Sequence, residues 1–281
     1  MSFRSTLLIT LVTLLALALV HYSYVETIGK TLYKGEDQNV KNSIKLENYL
    51  YKEQADEKAL VVGTSLSAHA RHPDLTNLSL TGGAALTVLE ILASKRKLPA
   101  VILVESNFLY YETDQDLVEK FSSDYHERVP LLQYRYRPMS LILGGIATAN
   151  SDVSDMVKVP SKSKINLDIR RKKLKPNLEA AGNEFKQEAL RRLIGKLHFL
   201  IKEIEDKGTN LIFYETPFDP SIAIQPRHRQ WKETLRKAFP KRDIHQVVVM
   251  NLETSDGIHL CLEGVLEMGE KLGNLAKLAK E

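Results

Sequence analysis

Two stretches far apart in the chain hold side chains able to do chemistry together. "ALVVGTSLSAHA", residues 59 to 70, runs apolar, stops at Gly63-Thr64-Ser65 and then turns polar. "SDGIHLCLEG", residues 255 to 264, sets Asp256 three positions before His259. A serine hydroxyl is a weak nucleophile at neutral pH until a base takes its proton. Histidine titrates in the range that suits such a base, and a carboxylate fixes its tautomer and stabilises the imidazolium. Taken singly, each stretch is an ordinary surface turn. An Asp-x-x-His pair also suits a metal ion, but no further ligands stand at sensible spacing. Taken together, the stretches fit nucleophilic catalysis, with Ser65 as nucleophile, His259 as base and Asp256 as its orienter.

An attacked carbonyl also needs donors for its developing negative charge, each worth about 3 kcal/mol in the transition state. Three candidates follow predicted strands: the backbone N–H of Ser65, Gly82 in "LSLTGGAAL", and the side-chain amide of Asn107 in "VESNFLYY". At Gly82-Gly83 the missing Cβ lets the backbone approach a substrate closely.

The elements that must position these residues alternate. β-rich apolar runs lie at 58–63, 100–106, 209–215 and 245–251, with a weaker one at 76–80. Helical patterns occupy 84–97, 184–208, 229–239 and 264–280. Such alternation predicts an α/β fold with a mainly parallel sheet covered on both faces, a three-layer sandwich. Ligands of these sheets sit beyond the carboxyl ends of the strands, where Ser65 falls. Residues 112–177 break the rhythm. Their "YRYRPMSLILGGIATA" reads as a helix or packing segment, and Lys158 to Lys175 as a basic insertion loop with eight Lys or Arg in eighteen residues. Such a run is either a solvated face or an electrostatic contact with an acidic glycan, lipid headgroups or a protein.

The 281 residues, 43% hydrophobic and 26% charged, suit a globular chain with one sizeable core. A net charge of +4, without finger, zipper or aromatic RNA-binding signatures, gives no reason to expect nucleic acid. The single cysteine, Cys261, excludes an internal disulfide framework and a cysteine metal cluster. Residues 1–25 hold an apolar centre from Leu7 to Val20, reaching spanning length only with His21, Tyr22 and Tyr24. The segment reads as a membrane anchor, with a signal sequence cleaved near Ala16-Leu17-Ala18 as the alternative. Residues 26–57 read as a stalk or first helix, and 58–281 as the catalytic domain.

Ser, Gly, Asn and His, each after a strand, with Asp three before His, resemble the SGNH (GDSL-like) hydrolase superfamily. Gly63-Thr64-Ser65 is similar to its first block, with Thr64 where many members have aspartate. Gly82 or Gly83 matches the second block and Asn107 the third, although Glu105 stands where glycine is usual. "DGIHLCLEG" matches the fifth block closely. The resemblance implies a flavodoxin-like sandwich, catalysis by Ser65, Asp256 and His259, an oxyanion site of Ser65, Gly82 and Asn107, and no cofactor or metal. It also implies acyl transfer through an acyl-serine. A membrane-tethered domain of this kind resembles extracytoplasmic polysaccharide O-acetyltransferases of the bacterial inner membrane, partnered by a multi-pass acyl-donating protein. A carbohydrate acetylesterase and an inactive polymer-binding scaffold remain alternatives.

Overall fold

The sheet is built around two runs that are apolar enough to be buried on both faces. In the computed structural model, which describes residues 3–24, 38–51, 58–123, 133, 159–250 and 252–280, these runs are β1 (Ala59–Val62) and β3 (Val101–Glu105). Both are buried at every position. They pair in parallel, Leu60 beside Ile102 and Val62 beside Val104. β2 (Leu75–Asn77) lies outside β1, while β4 (Asn210–Glu215) and then β5 (Ile244–Gln246) extend the other side. All neighbours are parallel, in the order β2-β1-β3-β4-β5. The order reverses between β1 and β3, the kind of point at which α/β sheets open a crevice beyond their strand ends.

Parallel strands need helical cover on both faces because each presents apolar side chains up and down. On one face, Ala59, Val61, Val101, Leu103 and Tyr214 pack with Val265, Met268, Leu272 and Ala276 of the closing helix α9 (Leu262–Leu278). Those four positions recur every three or four residues, the spacing of one helical stripe. Burying one such side chain contributes about 2 kcal/mol, so Met268→Asp would break the stripe at its centre. The alternate residues Leu60, Val62, Ile102, Val104, Leu211 and Phe213 are also buried. Here α3 (Ala85–Ala93) reaches β1 and α6 (Gln187–Glu205) reaches β4. Between them in the chain are α4 (Gln115–Ser122), started by the Asp114 carboxylate accepting from the Leu117 N–H at 3.0 Å, and α5 (Leu167–Ala181). The short α7 (Pro220–Ala223) and α8 (Pro226–Ala238) each begin with a proline in the first turn, where its missing N–H costs nothing.

The chain divides into two compact units, Met1–Lys52 with Asp124–Asp152, and Glu53–Ser123 with Val153–Glu281. In the first, α1 (Phe3–Tyr24) is long and apolar enough from Phe3 to Ser23 to cross a membrane. Its hydroxyls are satisfied within the helix: Thr10 donates to the Thr6 carbonyl at 3.0 Å and Thr13 to that of Ile9 at 2.8 Å. α2 (Gln38–Tyr51) buries Leu46, Tyr49 and Leu50, so part of the expected 26–57 segment is helix. Every candidate site residue belongs to the second unit.

Three expectations need correction. β5 ends at Gln246 rather than 251, because its partner β4 stops at Glu215; one further bond, Val247 N–H to the Glu215 carbonyl at 3.0 Å, closes the ladder. The basic 158–175 stretch is not simply a loop, since from Leu167 it is helix α5, which carries Pro176 inside it. Within the 112–177 break, residues 115–122 also form a helix. The expected packing segment "YRYRPMSLILGGIATA" lies outside the described residues.

Candidate active site

β1 delivers the serine. Past Val62 the chain folds into successive tight turns, with the Ser67 N–H on the Thr64 carbonyl at 3.3 Å and the Ala70 N–H on that of Ser67 at 3.0 Å. Ser65, on the first turn, places its Oγ 2.8 Å from Nε2 of His259, a residue 194 positions away. The other ring nitrogen, Nδ1, lies 2.7 Å from Oδ2 of Asp256. An ionised carboxylate can only accept, so Nδ1 carries the hydrogen and the Nε2 lone pair of the neutral ring faces the serine hydroxyl. That is the tautomer a general base requires.

Asp256 is held ionised. Burial pushes its carboxyl up, but the His259 ring, the His259 N–H and the Ile258 N–H outweigh burial and bring it down to about 2. Those amides reach Oδ1 at 2.8 and 3.0 Å, so one oxygen serves the turn and the other the imidazole. The His259 side chain keeps 39% of its surface exposed, against 17% for Asp256. The imidazole is therefore open to an arriving molecule while the carboxylate is sheltered.

A closed loop holds this pair. Thr254 and Leu260 form an antiparallel bridge, the Ser255 N–H donates to the His259 carbonyl at 2.8 Å, and Gly257 turns the chain at φ 93°. That angle is strained for any residue with a Cβ. A Cβ there would also collide with Leu174 of α5. The helix thus lies against the loop and grips it: Arg170 Nε donates to the Thr254 carbonyl at 3.0 Å, and Nη2 reaches Asp219 Oδ2 at 2.6 Å. Asn177 Nδ2 adds a bond to the Asp256 carbonyl at 3.3 Å. Leu174 and Leu178 pack with Ile258, Phe218 and Ile222 around it.

Beneath the serine turn sits a second carboxylate. Glu105, the last residue of β3, is wholly buried. Oε2 accepts from the Thr64 N–H at 3.0 Å and the Ser67 hydroxyl at 2.6 Å, while Oε1 accepts from the Thr64 hydroxyl at 2.8 Å. Tyr214 of β4 donates its hydroxyl to Ser67 Oγ at 2.6 Å. Burial raises the Glu105 pKa; the Ser67 and Thr64 bonds and the nearby His259 pull the other way.

Of the oxyanion candidates, the Gly83 N–H is used inside its own turn, bonded to the Leu80 carbonyl at 3.2 Å. Gly82, at φ 63°, is the exposed tip, and the Leu80 N–H ties the turn to the Gly63 carbonyl at 3.0 Å. Among the described residues, no partner takes the N–H of Ser65 or of Gly82. Asn107 is engaged differently from the expectation of a free donor. Its Nδ2 donates to the Thr216 carbonyl at 2.8 Å and its Oδ1 accepts from the Thr216 N–H at 2.7 Å, bracing the ends of β3 and β4. One Nδ2 hydrogen is left over from that brace.

No protein-family model, curated protein or solved structure matches this chain.

Other polar residues near the strand ends have structural partners. His72 accepts from the Asp74 N–H at 3.2 Å and fills the space beside Gly273 of α9. Glu215 pairs with Lys232 at 2.6 Å. Phe108 stacks on Tyr111 and meets Phe218 and His228, and Phe218, His228 and Trp231 line a cavity of about 70 Å³ beside Asn107. Desolvation takes His228 down to about 4, so it stays neutral there. Among the described residues, no three His, Cys, Asp or Glu side chains gather as metal ligands.

The structure joins Ser65, Asp256 and His259 and sets the Gly82 turn against the serine turn. Sequence reasoning missed Arg170, Ser67 and Tyr214 as parts of this assembly. Arg170 had a signal: Leu167, Arg170, Leu174, Leu178 and Ala181 recur at helical spacing, masked by the charge around them and by Pro176. Ser67 and Tyr214 had none, because their meaning lies in contacts that only the folded sheet creates.

Proposed function

We propose that this chain is a serine-dependent O-acyltransferase that acetylates an extracytoplasmic bacterial polysaccharide through an acyl-serine intermediate. One observation carries the reading: the unbroken hydrogen-bonded chain from Ser65 Oγ through both nitrogens of His259 to the carboxylate of Asp256, at 2.8 and 2.7 Å. Its position past the carboxyl ends of a parallel sheet, in the strand order β2-β1-β3-β4-β5 used by flavodoxin-like sandwiches, supports the resemblance to SGNH enzymes.

The chemistry follows from the atoms. Ser65 Oγ attacks the ester carbonyl carbon of the donor as Nε2 of His259 takes its proton. The carbonyl oxygen becomes an oxyanion, received by the N–H groups of Ser65 and Gly82 and by the remaining Nδ2 hydrogen of Asn107. Asp256 stabilises the imidazolium without taking a proton. Collapse breaks the bond to the leaving alcohol, which leaves with the proton from Nε2, and an acyl-Ser65 ester remains. A sugar hydroxyl then attacks that ester, gives its proton to Nε2, and releases Ser65 Oγ, which recovers it.

The apolar α1 supports single-pass membrane anchoring, and acetylation of an extracytoplasmic polymer requires the inner membrane with the catalytic unit on its periplasmic side. Confinement beside a membrane-embedded acyl donor raises the effective concentration of the two partners, which a tether serves and a free-swimming esterase does not need. The full-length protein in proteoliposomes, given an acetyl ester donor and polysaccharide, is expected to form acetylated glycan and an acetyl group on the peptide containing Ser65. Ser65→Ala should remove both, with a fall of about 10⁴-fold or more. Acetate release without acetylated glycan would make the protein a carbohydrate acetylesterase. Undiminished turnover in Ser65→Ala would overturn the reading.

A further inference from the structure

Glu105 is a wholly buried carboxylate that takes no part in the proton relay. Among the described residues no Lys, Arg or His forms an ion pair with it; its partners are hydroxyls and one backbone amide. A buried charge without a counter-charge is costly, and such groups cluster at functional sites. All three donors come from Thr64 and Ser67, the residues on either side of the serine and its neighbour. The turn that aims Ser65 is therefore hung on one carboxylate from the adjacent strand.

The room for that carboxylate is made by Gly63. The parallel register that sets Val62 beside Val104 brings Gly63 opposite Glu105. A Cβ on Gly63 would lie 2.6 Å from Glu105 Oε2 and 3.0 Å from Ser67 Oγ. The side chain at position 64 meets the same carboxylate: the Thr64 hydroxyl donates to Glu105 Oε1 at 2.8 Å.

We propose that Glu105 is the positioning residue of the nucleophile turn, holding Ser65 in line with His259 by gathering the Thr64 and Ser67 donors. This rests on the acyl-serine reading. The role acts on the alignment of the reacting hydroxyl, so its loss lowers kcat and leaves KM nearly unchanged. A misplacement of about 1 Å at a reacting centre costs on the order of 10²-fold.

The test is a cycle in the full-length protein, read by hydrolysis of p-nitrophenyl acetate and by the rate of Ser65 labelling with a fluorophosphonate, with melting temperature recorded for each variant. Glu105→Gln, which keeps the shape, is expected to lower kcat and labelling about 10-fold, and Glu105→Gly about 10²-fold. Thr64→Asp alone sets two carboxylates together and is expected to be impaired as well. The double variant Thr64→Asp/Glu105→Gly is expected to recover most of the activity lost in either single variant, a coupling that independent sites do not show. If Glu105→Gly does not fold, Glu105→Gln and the double variant decide. Wild-type kcat in folded Glu105→Gln and Glu105→Gly, or a double variant no better than the worse single, overturns the proposal. Ser65→Ala separates the two ideas: activity in that variant defeats the acyl-serine reading itself, whereas an inactive Ser65→Ala beside fully active Glu105 variants defeats only the positioning role.

Discussion

Arg170 is the residue through which helix α5 holds the loop carrying Asp256 and His259, and replacing it with methionine tests that coupling. The guanidinium makes three bonds: Nε to the Thr254 carbonyl at 3.0 Å, and Nη2 to Asp219 Oδ2 at 2.6 Å and Thr254 Oγ1 at 3.3 Å. Its side chain is 30% exposed and that of Asp219 13%. Fully exposed pairs are worth about 0.2–1 kcal/mol, while removing one partner of a buried pair costs about 3–5 kcal/mol. This pair lies between those limits, and Asp219 Oδ1 keeps its bonds to the Ser221 N–H and hydroxyl at 2.9 and 2.6 Å. Arg170→Met should therefore cost about 2 kcal/mol, or about 4–8 °C in melting temperature for a unit of this size. Thr254 Oγ1 also receives the Gly257 N–H at 3.1 Å, so the loss reaches the Asp256–His259 turn. The expected kinetic signature is a fall in kcat of about 10-fold or more with little change in KM. A double-mutant cycle with Asp219→Asn should give a coupling of about 1–2 kcal/mol. A variant with an unshifted melting temperature and full kcat would refute the idea that α5 holds the catalytic loop.

Asp256 sets a pH dependence with a definite sign. Its carboxyl lies at about 2 in the fold against 3.8 ordinarily, so it stabilises the native state above about pH 4 and that contribution, about 2 kcal/mol, is lost as pH falls toward 2. Denaturant titrations across that window should show the decline in the wild type and its loss in Asp256→Asn, which should also turn over about 10⁴-fold more slowly. Glu105 acts in the opposite sense, since its raised pKa makes its ionisation cost stability as pH rises. Gly63→Ala should destabilise by about 1–3 kcal/mol through overpacking against Glu105, and Glu105→Gly added to it should restore stability measured by denaturant midpoint. No recovery in the double variant would place the clash elsewhere.

The buried strands were legible because β1, β3 and β4 are short apolar runs that only a sheet covered on both faces can use. The same apolar character predicts a longer β5 than the fold contains. Val247 and Val249 turn inward and are buried, while Val248 and Met250 point outward, so apolar character continues after the ladder has ended. Helix α5 was hidden by six consecutive residues, Arg170 to Lys175, of which only Leu174 is apolar. Its apolar stripe serves a small local cluster rather than the main core. The Asp256–His259 pair could be read because its members lie three positions apart in one turn. The roles of Asn107 and Glu105 could not, since each depends on which strand lies next to which. The same Asn107 amide that suits an oxyanion is spent largely on Thr216, 109 positions away.

Tyr214 stands with one end in each world. Its ring packs among Val61, Leu103 and Met268 in the interior, and its hydroxyl touches the serine turn through Ser67. Tyr214 thereby links the packing of α9 against the sheet to the turn that carries Ser65. The strand ends have no independence from the body that bears them, and a repacked interior shifts the footing of Ser65.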